Sequence, residues 1–281
     1  MAPRILCTFP GRYGDLLWAL PTVRAISQFH EQPVELCIAG EFESLLPLLE
    51  QQEYLADVFA VDHWAMTPTE NWWIPPTIGQ WEDRYDRVYH LGYRGWPDAP
   101  LPKYVYQQTE REYPELGLPE LDLYTPWIEV VQPTCAPVSW TCGFTEAWFE
   151  LKFGVWELLS TAARYNRLKE DLEEGCLSLC TGARWQKEAK HGGCGWLEAA
   201  YWIAGSRAFL GDCSALHVLA CAVGTPVVCY EPMEARHNDI FYPYGKVGRV
   251  KLVLGNDGKP TIDSRHTWDT LQEVLAQQKE T

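Results

Sequence analysis

Cations are scarce in this chain of 281 residues: 23 Lys and Arg stand against 38 Asp and Glu, a formal net charge of −15. A surface built to neutralise a phosphate polymer needs the opposite balance, so broad nucleic-acid binding is disfavoured. Long apolar runs are missing as well. No stretch has the length of uninterrupted apolar sequence that a bilayer-spanning helix requires, and the expectation is a cytoplasmic protein. Neither Gly-x-Gly-x-x-Gly nor a phosphate-binding loop ending in Gly-Lys-Ser/Thr occurs, which argues against the two commonest nucleotide-binding fingerprints. Short repeats and low-complexity segments are also lacking. The ten cysteines do not read as a disulfide framework, because Cys7, Cys37, Cys221 and Cys229 sit inside apolar runs where a thiol acts as a small hydrophobe.

What is present is ordinary globular material, 47% hydrophobic and 22% charged, in a chain long enough for two cores. Short β-type runs alternate with helical patterns: strands are expected near 4–9, 34–39, 57–61 and 87–91, with helices over 15–29 and 41–52. Such alternation predicts βαβ units and parallel sheets. Between 118 and 137 four prolines, Pro119, Pro126, Pro133 and Pro137, interrupt any regular pattern. The junction is placed there, giving domains 1–130 and 131–281. Alternation then resumes, with strands at 135–140, 176–180, 208–211 and 226–230 and helices at 147–165, 196–205 and 214–223. Apolar residues at 268, 271, 274 and 275 predict a closing helix over 267–278.

Two segments could carry chemistry. In the first, Phe9-Pro-Gly11-Arg12-Tyr13-Gly14-Asp15-Leu-Leu-Trp-Ala-Leu-Pro21, a strand passes through a glycine-containing turn into a helix. A carboxylate there stands beyond the carboxyl end of a strand, where open α/β sheets bind ligands, and suits a general base. Asp is also a good helix N-cap, so Asp15 read alone is open to either role. The second segment runs Gly211-Asp212-Cys213-Ser214-Ala-Leu-His217 and on to Gly224, Pro226, Glu231 and Pro232. A strand feeding an exposed helix start makes an anion site from backbone amides and the helix dipole, which a diphosphate would fit. His217 could donate to a phosphate or sugar oxygen or be a satisfied structural histidine, and Ser214 could be only a cap. Glu231, just past the next strand, could accept both hydroxyls of a ribose.

Taken together, Gly14-Asp15-Leu-Leu-Trp-Ala-Leu-Pro21-Thr-Val-Arg24-Ala25 and Gly211-Asp212-Cys-Ser-Ala-Leu-His217 with Ala220, Gly224 and Pro226 resemble the ADP-heptose-using heptosyltransferases of lipopolysaccharide synthesis. The likeness is collinear and covers most of the chain. It implies a GT-B fold: α/β, two Rossmann-like domains with parallel sheets facing across a cleft, the donor held by the C-terminal one. It implies an inverting, metal-independent transferase without a cofactor, moving a sugar from a nucleoside diphosphate-sugar to a hydroxyl acceptor, a glycan or lipopolysaccharide-like molecule. On that resemblance Asp15 is the catalytic base, Gly11 to Gly14 form an acceptor loop, and Asp212 contacts the donor sugar. Amides around Cys213 and Ser214 then hold the diphosphate, and Lys152 is similar to the family's phosphate-contacting lysine. The chain departs from the family in having Cys213 and Ser214 where Ser or Thr and then Gly are usual.

Other readings stand beside this one: a nucleotide-sugar binder that has lost catalysis, an epimerase of the same shape, and a transferase acting on modified bases of viral DNA. A zinc site from Cys176, Cys180, His191 and Cys194 has a spacing unlike common zinc knuckles. Trp64, Trp72, Trp73, Trp81 and Trp96 could form a stacking platform for a sugar or base, or merely anchor a loop.

Overall fold

The computed structural model describes residues 2–62, 82–92, 101–123, 125–130, 140–143, 176–179, 195–212, 215–231, 247–251, 253–254, 260–261 and 264–277. The chain divides into two compact units, Met1–Glu129 with Asp239–Pro243, and Val130–Asn238 with Tyr244–Thr281.

The first unit is built on four parallel strands, β1 (Ile5–Phe9), β2 (Val34–Ala39), β3 (Leu55–Val61) and β4 (Arg87–His90), in the order β3-β2-β1-β4. Every residue of β1 is buried, which explains its near-continuous apolar sequence: a central parallel strand is covered on both faces. Helix α1 (Tyr13–Phe29) begins two residues earlier than the expected 15–29. The expected helix over 41–52 is instead a 3₁₀ turn, Gly40–Leu45, followed by a single α-turn, α2 (Leu46–Leu49). Pro47 accounts for the break, since it has no N–H to carry an earlier helix forward and is at home only in a first turn. Helix α3 (Leu101–Glu112), which no sequence pattern points to, packs against α1, and Val105, Tyr106 and Thr109 are among its buried residues.

Pro21 lies inside α1 and is buried. Having no N–H, it leaves the carbonyl of Leu17, four residues back, without its helical donor. The indole Nε1 of Trp127 donates to that carbonyl at 3.0 Å. Trp127 is 1% exposed and its ring lies 5.5 Å from that of Trp18. Around it, the Arg24 guanidinium donates to the carbonyls of Pro126 (2.8 Å) and Asp122 (3.3 Å), and the Tyr54 hydroxyl donates to that of Trp127 (2.8 Å). The proline-punctuated stretch that ends the first unit is thus a strap laid on α1.

The second unit carries five parallel strands, β5 (Trp140–Gly143), β6 (Cys176–Leu179), β7 (Ala208–Asp212), β8 (Val227–Glu231) and β9 (Val247–Lys251), in the order β6-β5-β7-β8-β9. Its described helices are α4 (Trp196–Ala204), α5 (Ala215–Ala222) and α6 (Ser264–Gln277), and a short antiparallel pair joins β10 (Val253–Leu254) to β11 (Pro260–Thr261). Of the strand expected over 135–140 only Trp140 is among the described residues, as the first residue of β5, and the helix expected over 147–165 lies outside them. Helix α6 closes the unit against β8 and β9. It comes so near that a Cβ on Gly248 would stand 2.4 Å from Thr270 Cγ2 and 2.7 Å from Val274 Cγ2. Its buried face differs from the expected stripe: Trp268 is 42% exposed, and Thr267, at 0%, is buried in its place, 3.4 Å from the Tyr230 hydroxyl that donates to it.

Candidate functional site

Parallel α/β sheets bind ligands beyond the carboxyl ends of their strands, where the strand order reverses. In the first unit that point lies between β1 and β4, and in the second between β5 and β7. Each of the two sequence segments singled out above runs off one of these strands, β1 in the first unit and β7 in the second.

After β1 the chain turns through Pro10 and Gly11 to Arg12, which is the N-cap of α1 in extended conformation (φ −69°, ψ 174°) and makes no capping bond through its side chain. Asp15 is therefore not the cap. It is the third residue of the helix, half-buried in a first turn whose dipole favours a carboxylate. Gly11 is buried against it: a Cβ at position 11 would stand 2.8 Å from Asp15 Cβ and 2.1 Å from Phe9 Cε1. The Tyr13 hydroxyl lies 3.0 Å from Ser44 Oγ and donates to the Glu41 carbonyl at 3.3 Å, and its ring meets Phe42 edge-on at 4.8 Å. Of the four residues expected to form an acceptor loop, Gly11 and Tyr13 shape the turn, Gly14 is half-buried, and Arg12 projects into solvent.

The end of β4 adds a residue that no motif pointed to. His90 is the register partner of Thr8 in the β1–β4 ladder, and its Nδ1 is 3.0 Å from the Thr8 hydroxyl. Its backbone N–H donates to the Tyr113 hydroxyl at 2.9 Å, and the next amide, of Leu91, donates to the Thr8 carbonyl at 2.8 Å. Thr8 is 0% exposed, a hydroxyl set in an otherwise apolar strand. That lone polar residue was the available sequence signal.

In the second unit Asp212 is the last residue of β7 and Glu231 the last of β8, so both carboxylate residues stand at the carboxyl edge on neighbouring strands. Helix α5 starts three residues after Asp212. His217 is its third residue and is 1% exposed, packed in the interior. The side chains of Asp212 and Glu231, and residues Cys213, Ser214 and Lys152, lie outside the described residues, as do Cys180, His191, Cys194 and the five tryptophans of the expected platform. Among the described residues no group of three or more His, Cys, Asp or Glu could hold a metal ion, and no helix is long and apolar enough to cross a membrane.

The glycosyl transferase family 9 protein from Veillonella parvula superposes with a TM-score of 0.69 at 10% identity, over 98% of this chain and 97% of that one. The chain shares the fold of that glycosyl transferase. E. coli ADP-heptose lipopolysaccharide heptosyltransferase II matches with a TM-score of 0.67 at 14% identity, over 98% of this chain and 99% of that one. E. coli heptosyltransferase WaaC with ADP matches with a TM-score of 0.65 at 12% identity, over 96% and 99%. The two all-parallel sheets, one in each unit, are the Rossmann-like halves of a GT-B architecture, as the sequence resemblance implied. No family model matches the sequence, and no curated protein matches it.

Proposed function

We propose that the chain is a glycosyltransferase that moves a sugar from a nucleoside diphosphate-sugar to a hydroxyl acceptor, inverting at the anomeric carbon and needing no metal. The observation that carries this is a coincidence of fold and site. The fold extends over nearly the full length of structures described as heptosyltransferases, and the Asp15 and Asp212 segments each run off a strand at a point where a sheet reverses. Asp15 takes the proton from the acceptor hydroxyl, the freed oxygen attacks the anomeric carbon, and the bond to the diphosphate breaks. Amides around Cys213 and Ser214, the first turn of α5 and the cation of Lys152 stabilise the charge that develops on the leaving diphosphate. Asp212 holds the donor sugar and Glu231 the ribose.

A donor screen that measures nucleoside diphosphate released from UDP-, GDP-, ADP- and dTDP-sugars with a mixed acceptor pool finds the substrate. With it, Asp15→Asn is expected to lower transfer by about 10²–10⁴-fold, the contribution of a positioned general base. Its affinity for the nucleoside diphosphate, by calorimetry, stays within about twofold because Asp15 and the donor residues belong to different strands of different sheets. Full transfer by this variant would remove Asp15 from the mechanism, and nucleotide binding with no turnover of any donor by the unaltered chain would make the protein a binder.

A further inference from the structure

We propose that Tyr13 is the residue that positions Asp15: its phenol fastens the first turn of α1 to the 3₁₀ turn that follows β2, and thereby sets where the Asp15 carboxylate stands. The inference rests on the transferase reading above and deepens it.

Tyr13 and Asp15 are the first and third residues of α1 and share its opening turn, which the Leu16 amide closes by donating to the Arg12 carbonyl at 2.7 Å. That turn has little of its own to hold it. Arg12, the N-cap, makes no capping bond through its side chain, and Gly11 and Gly14 have no side chain to pack. Tyr13 supplies a tie from outside the helix. Its hydroxyl carries one proton, which goes to the Glu41 carbonyl at 3.3 Å, so the Ser44 hydroxyl, 3.0 Å away, donates to the phenol oxygen. The ring meets that of Phe42 edge-on at 4.8 Å. All three partners belong to the turn Gly40–Leu45, and that turn is itself seated. Phe42 and Leu45 are buried, and a Cβ at Gly40 would stand 3.0 Å from Asp62 Oδ1 and 3.2 Å from the Val61 carbonyl, at the end of β3. The tie thus runs along the carboxyl edge from β3 through β2 to the turn after β1, in the order of the sheet. A general base needs such a tie, because a misplacement of about 1 Å at a reacting group costs on the order of 10²-fold in rate.

Tyr13→Phe keeps the ring against Phe42 and removes both hydrogen bonds of the hydroxyl. The expected result is a fall of about tenfold in kcat for transfer, with acceptor KM and nucleoside diphosphate affinity within about twofold. In an Asp15→Asn background the same change should cost less than about twofold, since an effect exerted through the carboxylate disappears with it. A tyrosine that only stabilises the fold gives another pattern: the variant unfolds at lower urea while kcat of the folded enzyme holds. A tyrosine that touches the acceptor raises KM instead, and its loss multiplies that of Asp15→Asn. Either pattern overturns the proposal. Should the unaltered chain transfer nothing, the transferase reading fails by itself, and amide exchange measured by NMR on the full-length protein then decides the tie. Exchange of the Leu16 amide that is roughly tenfold faster or more in Tyr13→Phe, with the amides of Val23 to Ile26 unchanged, supports it. An unchanged Leu16 amide, or equal acceleration along the whole helix, overturns it.

Discussion

Gly11 is the residue on which the geometry of the first unit is most finely balanced. Its φ calls for no special freedom; what matters is the space where a side chain would be. A methyl group there would stand 2.1 Å and 2.7 Å from two carbons of the buried Phe9 ring and 2.8 Å from Asp15 Cβ. Phe9 is 0% exposed and has no room to turn aside, so the strain would pass to the turn and the start of α1. Gly11→Ala is expected to destabilise the protein by about 1–3 kcal/mol, the usual penalty for overpacking. It should also cut transfer at least tenfold while nucleotide affinity holds, because a displacement of about 1 Å at a reacting group is costly. Urea denaturation with parallel kinetics checks both. A stable variant with full activity would mean that the turn relaxes away from Asp15. The sequence names Gly11 as a turn glycine but hides the reason for it, since the atoms that fill its missing side-chain volume are set by how the helix leans on β1.

At the scale of elements, α1 shows what could be read and what could not. The run from Leu16 to Ile26 is legible as a buried helix following a strand, and Pro21 is legible as part of a motif. Its partner is not. The carbonyl that Pro21 orphans is satisfied by Trp127, 110 residues from Leu17 in sequence, in a stretch whose prolines argue only for irregularity. Helix α3 is hard to read for a related reason: Gln108 and Thr109 lie on its buried face and blur the apolar stripe. The inward turn of Thr267 in α6, where Trp268 was expected, is likewise decided by a contact across the fold, to Tyr230. At the site, the glycine, aspartate and helix-start pattern is local and was readable, whereas His90 depends on register with Thr8. Trp127→Phe keeps an aromatic ring of smaller size and removes the donor, leaving the Leu17 carbonyl buried and unpaired. The expected loss is about 1–3 kcal/mol. In a Pro21→Ala background the restored N–H of residue 21 can serve that carbonyl, so the same Trp127→Phe change should cost less. A double-mutant cycle by chemical denaturation measures the coupling, and a value near zero would show that Trp127 acts through packing alone.

For the whole molecule, the consequential feature is how the first unit ends. Gln52 is 2% exposed and its side-chain amide works like a strand edge turned on Glu129. Its Nε2 donates to the carbonyl of Glu129 at 3.1 Å and to that of Leu48 at 2.8 Å, while its Oε1 accepts from the Glu129 amide at 2.8 Å. Glu129 is the last residue of the unit before the chain passes to the second at Val130. Together with Arg24, Tyr54 and Trp127, Gln52 therefore fixes the chain up to the boundary, so local opening of the strap must break a set of buried polar contacts at once. Gln52→Leu preserves bulk and removes both bonds to Glu129. The expected result is a loss of about 1–3 kcal/mol and faster cutting after Glu129 by a glutamyl-specific protease, while cleavage after glutamates elsewhere keeps its rate. Mass mapping of a limited digest reads this directly. Equal rates after Glu129 in both proteins would mean that the remaining strap contacts hold the boundary without Gln52, and acceleration at every glutamate would instead report global unfolding.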